Sequence, residues 1–121
     1  MIFKESKTIY LQIADRIMDE ILQKVYLEQE RIPSVRDYAA MVEVNPNTVV
    51  RTFEYLQGRQ IIFNKRGIGY FVEKGAVKRI HALRKEVFLR EELPEMCKSM
   101  KVLGIKPDDI AALYKEYLEK E

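Results

Sequence analysis

This sequence predicts a mainly α-helical chain with one small β-hairpin, and three observations carry that prediction. Apolar residues recur at steps of three and four through residues 8–56, the period of helices that bury one stripe. Over residues 61–73 the period falls to two, the mark of β-strands. From residue 75 onward the helical period returns. A length of 121 residues suits one ordinary domain, or a small domain with an appendage. Such a chain covers only about two-thirds of its unfolded surface on folding, so self-association is a natural way to cover more.

The first helix is expected from Thr8 to Val25, with Ile13, Ile17, Ile21 and Val25 on one stripe and Tyr10 and Ala14 beside it. Asp15, Arg16, Glu20 and Lys24 face away, and Thr8 is a possible N-cap. The polar run Glu28-Gln29-Glu30-Arg31 ends this element. Ser34-Val35-Arg36-Asp37 then has the form of a capping box, with Asp37 in place of the usual Glu. A short second helix follows on Val35, Tyr38, Ala39 and Val42.

Asn45-Pro46-Asn47-Thr48 is a strong helix start. Asn45 suits the N-cap, and Pro46 at the first helical position gives up only an amide that would have no partner. Val49, Phe53 and Leu56, with Thr52 between them, make the buried stripe of this third helix; Asn47, Val50, Arg51, Glu54 and Tyr55 lie opposite, and Gly58 marks its end. Ile61–Asn64 and Tyr70–Glu73 read as strands around a tip, Lys65-Arg66-Gly67-Ile68-Gly69, that holds two cations and two glycines. Helix, helix, turn, helix, hairpin is the layout of a winged helix-turn-helix, whose third helix enters the major groove of DNA.

Residues 75–121 are expected to be helical. Ile80, Leu83 and Val87 form one stripe; Leu89, Leu93, Met96, Met100 and Leu103 form a second at the spacing of a helix–helix seam. The phase slips between the two, close to Pro94, which predicts a kink or break. Pro107-Asp108-Asp109 opens a last helix, with Lys106 a poor N-cap and Ile110, Leu113, Tyr114, Tyr117 and Leu118 on its apolar side. The five methionines read as core filler, and His81 as a surface or packing residue.

Composition excludes more than it selects. No run of 18 apolar residues is present, so no spanning helix is expected, and Met1–Gln12 offers a three-residue apolar patch followed by charge, unlike a secretory signal. The lone Cys97 forms no internal disulfide, which fits a reducing cytoplasm, and reads as a small buried hydrophobe. One His and one Cys make no zinc or thiol–imidazole site, and no acid/base pair, activated nucleophile or phosphate loop is present. The expectation is a protein that is not an enzyme and uses no cofactor and no metal. Net charge is +2, from 21 Lys and Arg against 19 Asp and Glu, but it is unevenly placed. Residues 59–85 hold 8 cations and one anion, or +7, between a segment at −2 and one at −3. A cationic belt of this kind suits a protein that grips a polyanion on one face.

The run RIPSVRDYAAMVEVNPNTVVRTFEYL followed by NKRGIGYFV resembles the DNA-binding domain of GntR-family bacterial transcription regulators. The family's L-P-S-x-R-x-L-A pattern corresponds to Ile32–Ala39, its V-N-P-N-T-V variant to Val44–Val49, and its G-x-G-x-F-V wing to Gly67–Val72; IYLQIADRI is similar to its first helix. The resemblance covers roughly residues 8–73, and the Asn-Pro-Asn-Thr variant with a short C-terminal region is similar to the YtrA-like branch. Lys24, Gln29 and Gln60 stand where the family commonly has glycine, and Tyr38 replaces its usual leucine.

The resemblance implies a winged helix-turn-helix DNA-binding domain over residues 1–74 and a helical dimerisation region over 75–121. It also implies a homodimeric repressor on a palindromic operator in double-stranded DNA, the wing following the adjacent backbone or minor groove. In this branch such regulators often control ABC-transporter operons. The candidate DNA-binding residues are Ser34, Arg36, Asn45, Asn47, Thr48, Arg51, Lys65, Arg66 and Gly67. DNA binding needs cations or amides for phosphates and side chains that reach base edges. Arg36 corresponds to the family's DNA-contacting arginine, its alternative being a salt bridge to Asp37 or Glu43. Asn47 can pair with adenine or phosphate, Asn45 serves equally as a cap, and Gly67 and Gly69 also serve turn geometry. The candidate dimerisation residues are Ile80, Leu83, Val87, Leu89, Leu93, Met96, Met100 and Leu103. Larger GntR branches carry a ligand-binding C-terminal domain; residues 75–121 leave little room for a pocket of ~300 Å³ in one subunit, so an effector site at the dimer interface stays open and the effector unnamed. The alternative class is a winged-helix module that docks protein or RNA. Its mark would be apolar anchors on the third helix, for which Val50 and Tyr55 are the candidates.

Overall fold

Helix α1 (Ile9–Leu22) starts where Thr8 turns from extended backbone, its carbonyl accepting the Leu11 and Gln12 amides, with no bond from the Thr8 hydroxyl. The computed structural model describes residues 8–121; the apolar patch read at residues 1–3 lies outside the described residues. The helix buries Ile13, Ala14, Ile17, Met18 and Ile21, and it ends three residues before Val25. Val25 was expected on the buried stripe and is instead 56% exposed. The reason is a Schellman stop: Lys24 takes φ 65°, its amide bonds the Ile21 carbonyl, and the Val25 amide bonds the Glu20 carbonyl at 2.8 Å.

Helix α2 (Val35–Val42) is capped as expected, the Ser34 hydroxyl accepting the Asp37 amide at 3.1 Å. It buries Tyr38, Ala39 and Val42. Tyr38 does more than replace a leucine. Its hydroxyl donates to the Glu20 carboxylate at 2.7 Å, so Glu20, expected to face away, is turned back toward α2. Burial, then that bond, pushes the Tyr38 phenol well above its ordinary value. Helix α3 (Pro46–Gly58) buries Val49, Thr52, Phe53 and Leu56, and α1, α2 and the first strand all pack against it. Its opposite side is left to solvent.

The hairpin pairs β1 (Ile62–Lys65) with β2 (Gly69–Val72) antiparallel, with Phe63 opposite Phe71 and Lys65 opposite Gly69. Three residues, Arg66–Ile68, make the turn, and Gly67 supplies its left-handed position at φ 77°. The polar stretch at residues 28–31, expected only as a connector, pairs with the wing instead. Amides of Gln29 and Ile32 bond the Val72 and Tyr70 carbonyls, and the Val72 amide bonds the Glu30 carbonyl, making a third edge beside β2. Phe53 and Tyr70 meet edge to face at 4.7 Å, fixing the hairpin to α3.

Helix α4 (Ala76–Val87) leads into a π-helical segment, Phe88–Glu92, and then α5 (Leu93–Leu103). Pro94 lacks an amide and crowds the carbonyl four residues back, and the π turn ahead of it absorbs both effects. The extra residue in that turn advances the helical phase by about 100°, the slip read between the two apolar stripes. After the Gly104 stop, α6 (Pro107–Glu119) begins with the Lys106 amide bonding the Asp109 carboxylate at 3.0 Å, half of a capping box that a lysine can still enter.

The chain divides into two compact units, one reaching Ala82 and one spanning Leu83–Glu121. Ala76 and Ile80 are fully buried, and no described residue after Ile80 is buried. Two expectations change accordingly. Cys97 is exposed on α5, and of the described methionines only Met18 is core, while Met41 and Met96 are exposed and Met100 is half-buried.

Candidate nucleic-acid interface

The first turn of α3 is assembled from its own sequence. The Asn45 side-chain carbonyl accepts the Asn47 amide at 2.8 Å, and the Thr48 amide bonds the Asn45 backbone carbonyl at 3.0 Å. Asn45 is thus a cap, with its side-chain NH2 left over. Asn47 is exposed and Thr48 half-buried. One turn on, Thr52 is buried, and its hydroxyl donates to the Tyr10 backbone carbonyl at 2.8 Å, with the Thr48 carbonyl at 3.2 Å. That bond ties the start of α1 to the start of α3.

Between those two helix starts lies an open cleft of about 350 Å³, lined by Thr8, Ile9, Tyr10, Asn47, Thr48 and Arg51. Three of the residues expected to touch DNA therefore share one concavity. Its described lining offers hydroxyls, an amide and a guanidinium, with no carboxylate among the described residues, a donor set matched to phosphate oxygens and base edges. The Arg51 guanidinium stacks over the Tyr10 ring at 4.0 Å. Tyr55 meets Tyr10 edge-on, with centroids 6.3 Å apart, and Arg59 lies over the Tyr55 ring at 5.2 Å. Arg51 and Tyr55 on α3 and Arg59 just past its end are spaced four residues apart, so with Tyr10 they form a ladder of cation, ring, ring, cation.

The remaining expected residues lie outside that cleft. Ser34 is committed to capping α2; Arg36 is exposed in its first turn and pairs with no carboxylate among the described residues, neither Asp37 nor Glu43. Lys65 ends β1 with its ammonium 5.3 Å from the Phe71 ring, and Arg66 and Gly67 are the exposed tip. A Cβ built on Gly67 meets nothing within 4 Å, so only its φ calls for glycine within the chain. At Gly69, φ 144°, a Cβ would lie 2.8 Å from the Arg31 Nε, which places that guanidinium against the base of the wing. Tyr10, Tyr55, Arg59 and Arg31 were not among the residues expected to serve DNA binding. The four-residue spacing of Arg51, Tyr55 and Arg59 was a visible signal, but the reach of Tyr10 and Arg31 depends on packing between distant segments.

The expected dimerisation residues behave less uniformly. Leu83, Val87, Leu93 and Met100 are half-buried, and Leu89, Met96 and Leu103 are exposed. Ile80 is fully buried and so offers no surface; it belongs to the unit that contains the winged fold.

Residues 9–72 match the family of bacterial regulatory proteins described as gntR. That stretch is more than half of the chain. The chain belongs to the GntR family. Its members are helix-turn-helix transcriptional regulators that bind DNA, which agrees with the donor-lined first turn of α3. Among GntR relatives, the chain is 37% identical over 117 residues to the uncharacterized HTH-type transcriptional regulator YhcF of Bacillus subtilis, covering 97% of this chain and 95% of that protein. It is 26% identical to the HTH-type transcriptional repressor YtrA of the same organism, over 93% and 86% of the two. A solved GntR-family transcriptional regulator from Bacteroides thetaiotaomicron is 51% identical, with a TM-score of 0.82 over 93% of this chain and 98% of that one. Both the winged helix-turn-helix and the helices after it are thus part of a shared GntR architecture. Among the described residues no helix is long and apolar enough to cross a membrane.

Proposed function

We propose that this GntR-family chain is a homodimeric, sequence-specific transcriptional repressor of the cytoplasm that acts by binding alone, without catalysis. Each protomer lays α3 in a major groove, with Asn47, Thr48 and Arg51 toward base edges. Arg36, Ser34 and the Asn45 NH2 face phosphates, and the wing tip, Lys65-Arg66-Gly67, lies on the adjacent backbone or minor groove. Repression follows the similarity to the repressor YtrA.

The carrying observation for the dimer is the apolar surface of the C-terminal helices. Leu113, Tyr114, Tyr117 and Leu118 are 60%, 62%, 59% and 51% exposed on one side of α6, and Phe88, Leu89, Met96 and Leu103 are exposed before it. Soluble chains rarely leave so many large apolar side chains contiguous along one element unless a partner covers them. A second copy does so with closed symmetry and brings two α3 helices to half-sites about 34 Å apart. We assign residues 1–74 to DNA binding and 75–121 to dimerisation, with Ile80 serving the winged unit instead of the seam.

Selection of bound sequences from a random duplex pool tests this reading. The expected product is a palindrome with half-sites about one helical turn apart, bound by two chains. No enrichment over scrambled DNA at moderate salt would overturn it.

A further inference from the structure

We propose that Tyr10, on α1, is a positioning residue for DNA readout: its ring holds the Arg51 guanidinium over the cleft at the start of α3, ready to meet a base edge or phosphate. The inference rests on the assignment of Arg51 as a DNA contact and adds the residue that aims it.

The geometry of the stack carries the argument. Arg51 is exposed on α3, where an arginine ordinarily samples many rotamers, yet its guanidinium lies 4.0 Å from the Tyr10 ring centroid. Stacking occupies the face of the guanidinium and leaves its in-plane N–H donors free, the donors that bidentate recognition of guanine or phosphate uses. The ring is itself held. Tyr55 packs edge-on against it at 6.3 Å, and the Tyr10 backbone carbonyl is fixed by the Thr52 hydroxyl at 2.8 Å. Tyr10 also lines the same cleft as Asn47, Thr48 and Arg51, so the stacked cation points into the space the other two donors share. An arginine restrained before binding loses less side-chain freedom when it binds, and that difference appears as affinity. Because Thr52 grips the backbone of Tyr10, a change of its side chain leaves the link between α1 and α3 in place.

The test uses the full chain and the duplex selected from the random pool, with Tyr10→Leu, Tyr10→Phe, Arg51→Ala and the double variant Tyr10→Leu/Arg51→Ala. Binding is read by fluorescence anisotropy against the selected duplex and against duplexes altered one base pair at a time. The ratio of those affinities does not depend on the folded fraction, so it still reports if Tyr10→Leu is less stable. Arg51→Ala is expected to lose at least about tenfold and to relax preference at one position per half-site. Tyr10→Leu is expected to lose about five- to tenfold and to relax the same position. Tyr10→Phe, which keeps the π face, should stay within about twofold of the parent. The double variant should match Arg51→Ala alone. A Tyr10→Leu protein with parental preference beside a defective Arg51→Ala overturns the inference, as do losses that multiply in the double variant. Equal loss in Tyr10→Phe and Tyr10→Leu overturns it too, since the hydroxyl would then be the contact. If Arg51→Ala itself binds like the parent, the assignment of Arg51 fails first and the inference falls with it.

Discussion

Among the described residues, four without glycine's freedom hold glycine's backbone conformation: Lys24, Gln29, Glu43 and Gln60 have φ between 57° and 71°. Lys24, Glu43 and Gln60 each stop a helix by the same device, an amide one residue further on bonding the carbonyl five residues back. Three of the four are the places where the sequence departs from the family's glycines, so the turn geometry survives the substitution and the strain stays local. Left-handed backbone costs an L residue about 1–2 kcal/mol, partly offset by the chain entropy that glycine would add to the unfolded state. Lys24→Gly and Gln60→Gly should therefore each stabilise the fold by about 0.5–1 kcal/mol, a rise of several degrees in Tm on thermal melting. A fall in Tm would show that the side chains contribute more than the backbone loses. This level was half legible. Start signals such as Ser34 and Asn45 act on amides two or three residues away, so reading the neighbouring letters suffices. Stop signals without glycine leave no such mark, and for that reason α1 was expected to run on to Val25.

At the scale of elements, the wing and α4 are each held by a segment the sequence offered only as a connector. Glu28 accepts the Gly75 amide at 2.8 Å and the Val77 amide at 3.1 Å, a carboxylate cap on the start of α4. Those two amides hold the Glu28 carboxyl below its ordinary value of 4.5. A carboxyl lowered on folding stabilises the native state above the ordinary value, and that contribution is lost as pH falls through the lowered one. Glu28→Gln is thus expected to lower Tm at pH 7 and to show a shallower loss of Tm below pH 4.5 than the parent, the two curves converging in acid. Parallel curves across that range would remove Glu28 from the cap. The wing makes a separate prediction. Lys65 and Arg66 belong to a cationic tip with no carboxylate partner among the described residues. Replacing either by Ala should weaken binding to all duplexes alike and reduce the slope of log K against log salt by about 1 for each phosphate no longer neutralised. Selective loss at one base pair would instead make it a reader of sequence. The hairpin was legible from its alternation and glycines. Its third edge was not, because Glu30 and Val72 lie far apart in the chain and only the folded turn after α1 brings them together.

For the molecule as a whole, the near-neutral net charge conceals a division between a unit that holds a donor-lined cleft and a unit that buries none of its described residues. On the proposed dimer, DNA is read weakly by one copy and tightly by two, because linked half-sites raise avidity by about 10²–10⁴. Leu113→Glu together with Tyr117→Glu, both on the exposed side of α6, should give a monomer by sedimentation. The pair should also cost at least about a hundredfold in affinity for the palindrome while leaving single half-site binding unchanged. A variant that remains dimeric would move the seam elsewhere. The proposed recognition helix was readable here because its motif is contiguous, residues 44–49; the Tyr10–Arg51 stack was not, because it exists only once α1 lies on α3. A hydroxyl-radical footprint of the full chain on the selected duplex tests dimeric groove reading most directly. Two protected patches on one face of the duplex, centred about one helical turn apart and both lost with Arg51→Ala, are the expected result. A single patch, or protection indifferent to Arg51, would contradict it.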